Sequence, residues 1–347
     1  MAKQQYSADD IKVISWPEHV RLRPAMYIGA MNNKGVLQLL QYILVQICQE
    51  NSAKKIELHF DEEGAGHLSF QQLSCTVDIN WAYRMSYREV NLEVLNALCS
   101  RFEIRFYLQN NSKPIIQYYE QGRLKLGSVE KNKELDCQSI EIYFCLDEAI
   151  FGMDFSWDAP YLLHELKNFA YLHKNTAFEI KTLNCHNRYH FPRGLKERLH
   201  IELTKSSVPA NLELYFDEKI EHFSVECALV LRNTYVDKPF IESYVNDYHT
   251  IDNGTHVKAV IKGILRAIRK YMAEMGMAPL YISKAEIQKN MLLIINIRME
   301  SVSFGGSTRS KLISTDVIDP LADYVAYRFY QLLAEADSTT VLTKIFI

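Results

Sequence analysis

Apolar residues at positions 36, 37, 39, 40, 43, 44, 47 and 48 recur every three or four residues, so Val36–Glu50 is predicted to be a helix with a wide buried stripe. Lys55–Phe60 (KIELHF) instead alternates apolar with polar, the period of a half-buried strand. Glu62–Gly66 reads as a turn and Leu68–Leu73 as a second strand. Val90–Cys99 returns to helical spacing. Phe102–Leu108 and Ile115–Tyr119 bracket an Asn-Asn-Ser-Lys stretch and predict a hairpin. Ser139–Phe144 alternates again, Ala159–His173 has the spacing of an amphipathic helix, and Phe178–Leu183 is strand-like. Strands and helices mixed in this way predict an α+β layer pair, a mixed sheet with helices on one face. Ser206–Ala210 (SSVPA) is short, polar and proline-bearing, and marks a predicted boundary between residues 1–207 and 208–347. Beyond it, Glu213–Phe216, Ser224–Arg232 and Met291–Arg298 read as strands, and Thr255–Met275 and Pro320–Ala336 as long helices.

Composition narrows the class. A chain of 347 residues suggests two domains, and 48% hydrophobic with 23% charged residues excludes a disordered, collagen-like or rod-like chain. Lys+Arg total 39 against 42 Asp+Glu, a net charge of −3, so any nucleic-acid contact would have to be a local basic face. The seven cysteines are scattered and never form CxxC, which argues for reduced thiols rather than a disulfide framework or a zinc site. Cys185, His186 and His190 lie close in sequence, but one such cluster in a predicted loop is weak support for a metal, and none is expected. There is no HExxH, GxSxG or P-loop. No run of about 18 apolar residues and no apolar leader at the amino terminus is present, so a cytoplasmic protein without a membrane partner is expected.

Six stretches carry a resemblance. They are Tyr6 to Val13 (YSADDIKV), Val20 to Gly29 (VRLRPAMYIG), Leu92 to Cys99 (LEVLNALC), Leu166 to Leu172 (LKNFAYL), Asp252 to His256 (DNGTH) and Phe304 to Leu312 (FGGSTRSKL). In this order the sequence resembles the B subunit of the bacterial type IIA topoisomerases, DNA gyrase and topoisomerase IV, over nearly its whole length. The resemblance implies a GHKL (Bergerat-type) ATPase-like sandwich followed by a transducer domain with the architecture of ribosomal protein S5. It also implies that the metal-binding TOPRIM domain, expected to follow Ile347 in that family, is not part of this sequence.

The chemistry of such an ATPase requires a general base on the first long helix, an Asn one turn later for Mg²⁺, an Asp–Gly pair that reads adenine, and a glycine-rich lid. Aligned on Gly35, the base position holds Tyr42 and the metal-Asn position Gln46, preceded by Val45. A phenol keeps its proton at neutral pH and is a poor base. The adenine-reading position falls in Gln71-Gln72-Leu73-Ser74-Cys75, with no Asp–Gly, and the lid position in Ser86–Asn91, with no glycine. ATP and Mg²⁺ are therefore expected to be lost or weakly held, and no residue is assigned a catalytic role. Two family positions keep nucleotide-type chemistry. Tyr6 stands where the family arm crosses to the partner's nucleotide, and Arg309 where a transducer lysine reaches the γ-phosphate.

The helix Thr255–Met275 carries Lys258, Lys262, Arg266 and Arg269 along one side, where they are candidate contacts to DNA phosphates. In the resembling family this domain lines a cavity through which DNA passes. Three readings follow. The leading one is a non-catalytic, degenerate paralogue that acts as a binding or regulatory module linked to DNA topology, as a homodimer or with a partner topoisomerase subunit. The second is a divergent ATP-dependent DNA clamp, and the third a sequence-independent DNA-binding module.

Overall fold

A computed structural model describes residues 14–50, 53–61, 64–73, 76–82, 92–109, 111–128, 134–206, 212–232, 239–276, 281–306, 309–335, 342 and 346. The chain divides into two compact units, Met1–His190 and Phe191–Ile347.

In the first unit the elements run α1 (Trp16–Leu22), α2 (Ala25–Ile28), α3 (Asn33–Glu50), β1 (Lys55–Phe60), β2 (Ala65–Gln71), β3 (Thr76–Asp78), α4 (Leu92–Leu98), β4 (Cys99–Leu108), β5 (Ile115–Glu120), β6 (Arg123–Leu126), β7 (Glu134–Leu146), α5 (Glu148–Phe151), α6 (Ala159–Tyr171), β8 (Ala177–Thr182) and β9 (Cys185–Tyr189). The strands form a sheet of order β6-β5-β4-β7-β2-β1-β8-β9, with β3 also paired to β7. The β1–β8 pair is parallel and its neighbours are antiparallel, which makes the sheet mixed as the sequence predicts. Alternation sorts the two faces. Ile56, Leu58, Leu68, Phe70, Ile104, Ile140 and Phe178 are buried. Phe178 meets Phe169 of α6 edge-on at 5.8 Å.

The opposite face is a charged ladder in which Arg105, Glu141, Ser69, Glu57, Glu179 and Arg188 stand opposite one another across successive strands. Hydrogen bonds from Lys181 and His186 hold the carboxyl of Glu179 down to about 2. His186 is thus spent on a carboxylate, at 2.7 Å. Among the described residues no group of three His, Cys, Asp or Glu is placed to hold a metal ion.

The second unit runs α7 (Gly194–Ser206), β10 (Leu212–Ile220), β11 (Phe223–Leu231), β12 (Phe240–Val245), β13 (Tyr248–His249), α8 (Thr255–Glu274), α9 (Lys284–Lys289), β14 (Met291–Met299) and α10 (Ile318–Glu335). Its sheet has the order β10-β11-β14-β12-β13. The β12–β13 hairpin turns on Asn246 and Asp247, both at positive φ (51° and 67°), as a two-residue type I′ turn requires. Val225, Cys227, Leu229, Leu293, Ile295 and Ile297 share a core with α8 and α10.

The boundary expected at 207/208 lies too late. Helix α7 packs on β11 and β14 of the second unit. The backbone N–H of Leu195 donates to Glu226 at 3.0 Å, and Arg198 reaches Glu242 at 2.6 Å. The polar SSVPA stretch begins at the last residue of this helix, so its composition does not mark the division. No helix of the described residues is long and apolar enough to cross a membrane.

Helices α8 and α10 approach closely at Gly263. A Cβ there would stand 2.6 Å from the carbonyl oxygen of Ala322 and 2.7 Å from Val325 Cβ. Gly263→Ala is therefore expected to force the helices apart and destabilise the unit by about 2 kcal/mol. Thermal unfolding is the measurement, with a fall of roughly 5 °C expected. An unchanged midpoint would show that the contact yields without cost.

Candidate functional site

The N-terminal end of α3 is set by a turn that only glycine fits. A Cβ on Gly35 would lie 1.9 Å from the carbonyl oxygen of Ala30. Asn32 Oδ1 accepts from the backbone N–H groups of Lys34 at 3.0 Å and Gly35 at 3.4 Å. From this fixed start, Tyr42 and Gln46 fall one helical turn apart on one side of α3.

Neither side chain offers a carboxylate. The Tyr42 hydroxyl accepts from Gln38 Nε2 at 2.5 Å. Gln46 Oε1 accepts from the indole N–H of Trp81 at 3.1 Å. Val45 is buried. The amide oxygen at the metal-Asn position is thus engaged by an indole.

Trp81 is positioned by the turn after β3. Asp78 Oδ1 accepts from the backbone N–H of Asn80 at 2.8 Å and from its Nδ2 at 3.0 Å. The Trp81 N–H closes on Asp78 O at 3.0 Å, and buried Asn96 of α4 donates to Ala82 O at 2.8 Å. Asp78, Asn80, Trp81 and Asn96 are the residues that sequence reasoning missed. The signal was the Asp-x-Asn pattern of a side-chain-capped turn. At the adenine-reading position Gln72 takes a positive φ of 56° and Leu73 is buried. Tyr6 and the lid position Ser86–Asn91 lie outside the described residues.

In the second unit, Arg309 sits in a loop clasped to the start of α8. Leu312 bridges to both Phe304 and Gly254, and Gly305 N–H donates to Lys311 O at 2.9 Å. Ser310 Oγ donates to Asp252 Oδ2 at 2.6 Å. Arg309 has φ 53°, and its guanidinium carbon lies 5.0 Å from the centre of the Tyr248 ring, a cation–π contact.

The four candidate cations along one side of α8 divide into two kinds. Lys262 bonds Asp319 Oδ1 at 2.5 Å, and Arg266 bonds Asp323 while lying 3.6 Å from Asp319. Lys258 and Arg269 are exposed and in no ion pair among the described residues. Half of the stripe that the sequence offers to phosphate is therefore already matched by carboxylates of α10.

A family model described as DNA gyrase B matches residues 194–346, a span that opens at the first residue of α7. Among curated relatives, the gyrase B protein of Clostridium acetobutylicum is 26% identical, the match covering 90% of this chain and 53% of that one. The corresponding DNA topoisomerase 4 protein of Rickettsia prowazekii, again the B component, is 27% identical, with the same coverage of 90% and 53%. The chain thus spans about half the length of the curated relatives it matches. Among solved structures, the B-subunit of the DNA gyrase from Myxococcus xanthus superposes with a TM-score of 0.77 at 20% identity, covering 94% of this chain and 98% of that one. The topoisomerase IV ATP binding domain of Francisella tularensis, solved with a small-molecule inhibitor, gives 0.76 at 20% identity, covering 94% and 95%. The α+β fold is that of these solved structures, and the chain resembles the gyrase and topoisomerase IV B subunits over about half of their length.

Proposed function

We propose that this chain is a non-hydrolysing relative of the topoisomerase B subunit. It keeps the scaffold as a binding or regulatory module linked to DNA topology, working as a homodimer or on a partner topoisomerase subunit. One observation carries the reading: at the two positions of α3 where a nucleotide-hydrolysing relative needs a base and a metal ligand, Tyr42 is hydrogen-bonded to Gln38 and Gln46 to Trp81. A magnesium–nucleotide group needs oxygen donors free to coordinate the ion and a base to polarise the attacking water. A phenol and an indole-bonded amide do not fit that group, so no hydrolytic step is derived through it.

Titration calorimetry with a non-hydrolysable ATP analogue and Mg²⁺ at low salt tests this. No heat of binding is expected up to millimolar ligand, and a coupled assay should show no ATP turnover above buffer. Turnover that Tyr42→Phe or Gln46→Ala abolished would overturn the proposal, because it would show the site rebuilt around those residues.

A further inference from the structure

The second unit contains a cavity of about 650 Å³ between α8 and the start of α9. Lys262, Arg266 and Arg269 line one side, and Tyr281 and Lys284 the other. None of the described residues lining it is acidic. Tyr281 is 92% exposed, whereas Leu265 and Ile282 beneath it are buried. The exposed Tyr281 ring thus stands beside four cations, in a chain whose net charge is −3.

Resting on the reading of the chain as a binding module, we propose that this cavity is the docking site for a short acidic segment of a partner protein. Carboxylates of that segment pair with Arg269 and Lys284, and one apolar side chain lies against Tyr281. Charge complementarity argues for this occupant. The same row of cations already holds carboxylates at its edge, Asp319 on Lys262 and Asp323 on Arg266. Arg269 and Lys284 continue the row and carry no ion pair among the described residues.

The same edge disfavours a nucleic acid. Asp319 and Asp323 are each 70% exposed on their side chains and would face the dense phosphates of a duplex, about one charge per ~1.7 Å of axis. A short peptide can place its few charges on Arg269 and Lys284 and keep clear of α10. Its apolar side chain also uses the Tyr281 wall, for which a phosphate backbone has no counterpart.

The test is fluorescence anisotropy on the intact chain. The probes are a short fluorescein-labelled peptide of glutamates around one leucine, its glutamine counterpart, and a labelled DNA duplex. The glutamate peptide is expected to bind, more weakly as salt rises, and the glutamine peptide not to bind. Arg269→Glu with Lys284→Glu should weaken the glutamate peptide at least about tenfold, and Tyr281→Ala about threefold. These side chains are exposed, so circular dichroism and the melting temperature should stay at wild-type values. The proposal is overturned by no peptide binding, by affinity indifferent to the charge reversal, or by a duplex that binds more tightly than the peptide. The nucleotide titration on the same preparation reports on the first unit separately, so the two proposals fail by different readouts.

Discussion

Arg298→Met is expected to destabilise the second unit by about 3–5 kcal/mol. The reason is the group left behind. The Asp247 side chain has no exposed surface and receives Asn296 Nδ2 at 2.5 Å, Arg298 Nε at 3.0 Å and Arg298 Nη2 at 2.8 Å. The Arg298 side chain is partly exposed, at 34%, whereas that of Asp247 is wholly covered. Methionine fills most of the volume but strands a buried carboxylate with its neutralising charge gone. The cost falls on the β12–β13 turn, because Asp247 is the second residue of that turn and its own N–H bonds Asn296 Oδ1 at 3.3 Å. Urea unfolding of the single and double variants measures it. Asp247→Asn in the Arg298→Met background should recover part of the loss by removing the buried charge, a coupling that a double-mutant cycle isolates. Additive single effects would mean that the pair is not coupled.

This turn also shows where sequence reading stops short. Tyr244–Val245 and Tyr248–His249 form a hairpin around Asn246-Asp247, a legible two-residue turn signal that periodicity passes over because β13 is only two residues long. Longer elements are legible for a plain reason. Helix α3, strand β1 and helix α8 bury one face each, so 3.6-residue and two-residue periods survive in their sequences. Strand β11 buries every residue from Val225 to Leu231, and its apolar run from Cys227 to Leu231 is what a sheet covered on both faces requires. Misassigning α7 to the first unit has the opposite cause. Its amphipathic signal is weak, and what ties it to β11 and β12 is the Leu195 N–H on Glu226 and Arg198 on Glu242, pairings that no local pattern reveals.

The positions of the candidate site on α3 are legible in the sequence. The alignment that places Tyr42 and Gln46 rests on Gly35, and the structure supplies the physical reason that Gly35 is a fixed point: an added Cβ would collide with the Ala30 carbonyl. What the side chains at these positions bond to is not legible. The Trp81–Gln46 bond joins residues 35 apart in sequence, and α8's partners on α10 lie 57 away. Spacing arguments see one face of one helix. They do not see the carboxylates that another helix lays across it.

Gly254→Ala is expected to cost about 4 kcal/mol, the sum of two effects of comparable size. Gly254 adopts φ 155° and ψ −156°, a region that in practice only glycine occupies. Its added Cβ would also stand 2.4 Å from Leu312 O and 2.6 Å from Leu312 N, both backbone atoms with nowhere to move. Those atoms form the clasp of the Arg309 loop: Thr255 N–H donates to Leu312 O at 3.0 Å, and Leu312 N–H to Asn253 O at 3.0 Å. Relief of the clash therefore requires the loop to lift from α8, and with it the perch of Arg309 over Tyr248 is lost. Native-state hydrogen exchange separates this from simple core damage. In Gly254→Ala the amides of Thr255 and Leu312 should exchange well before those of β11 and β14, as a local opening does. Leu312→Ala is the control. It removes a fully buried side chain and should cost about 2–4 kcal/mol, yet it leaves the backbone clasp in place, so Thr255 should stay protected up to global unfolding. Equal protection of Thr255 in the two variants would show that the glycine does not hold the loop.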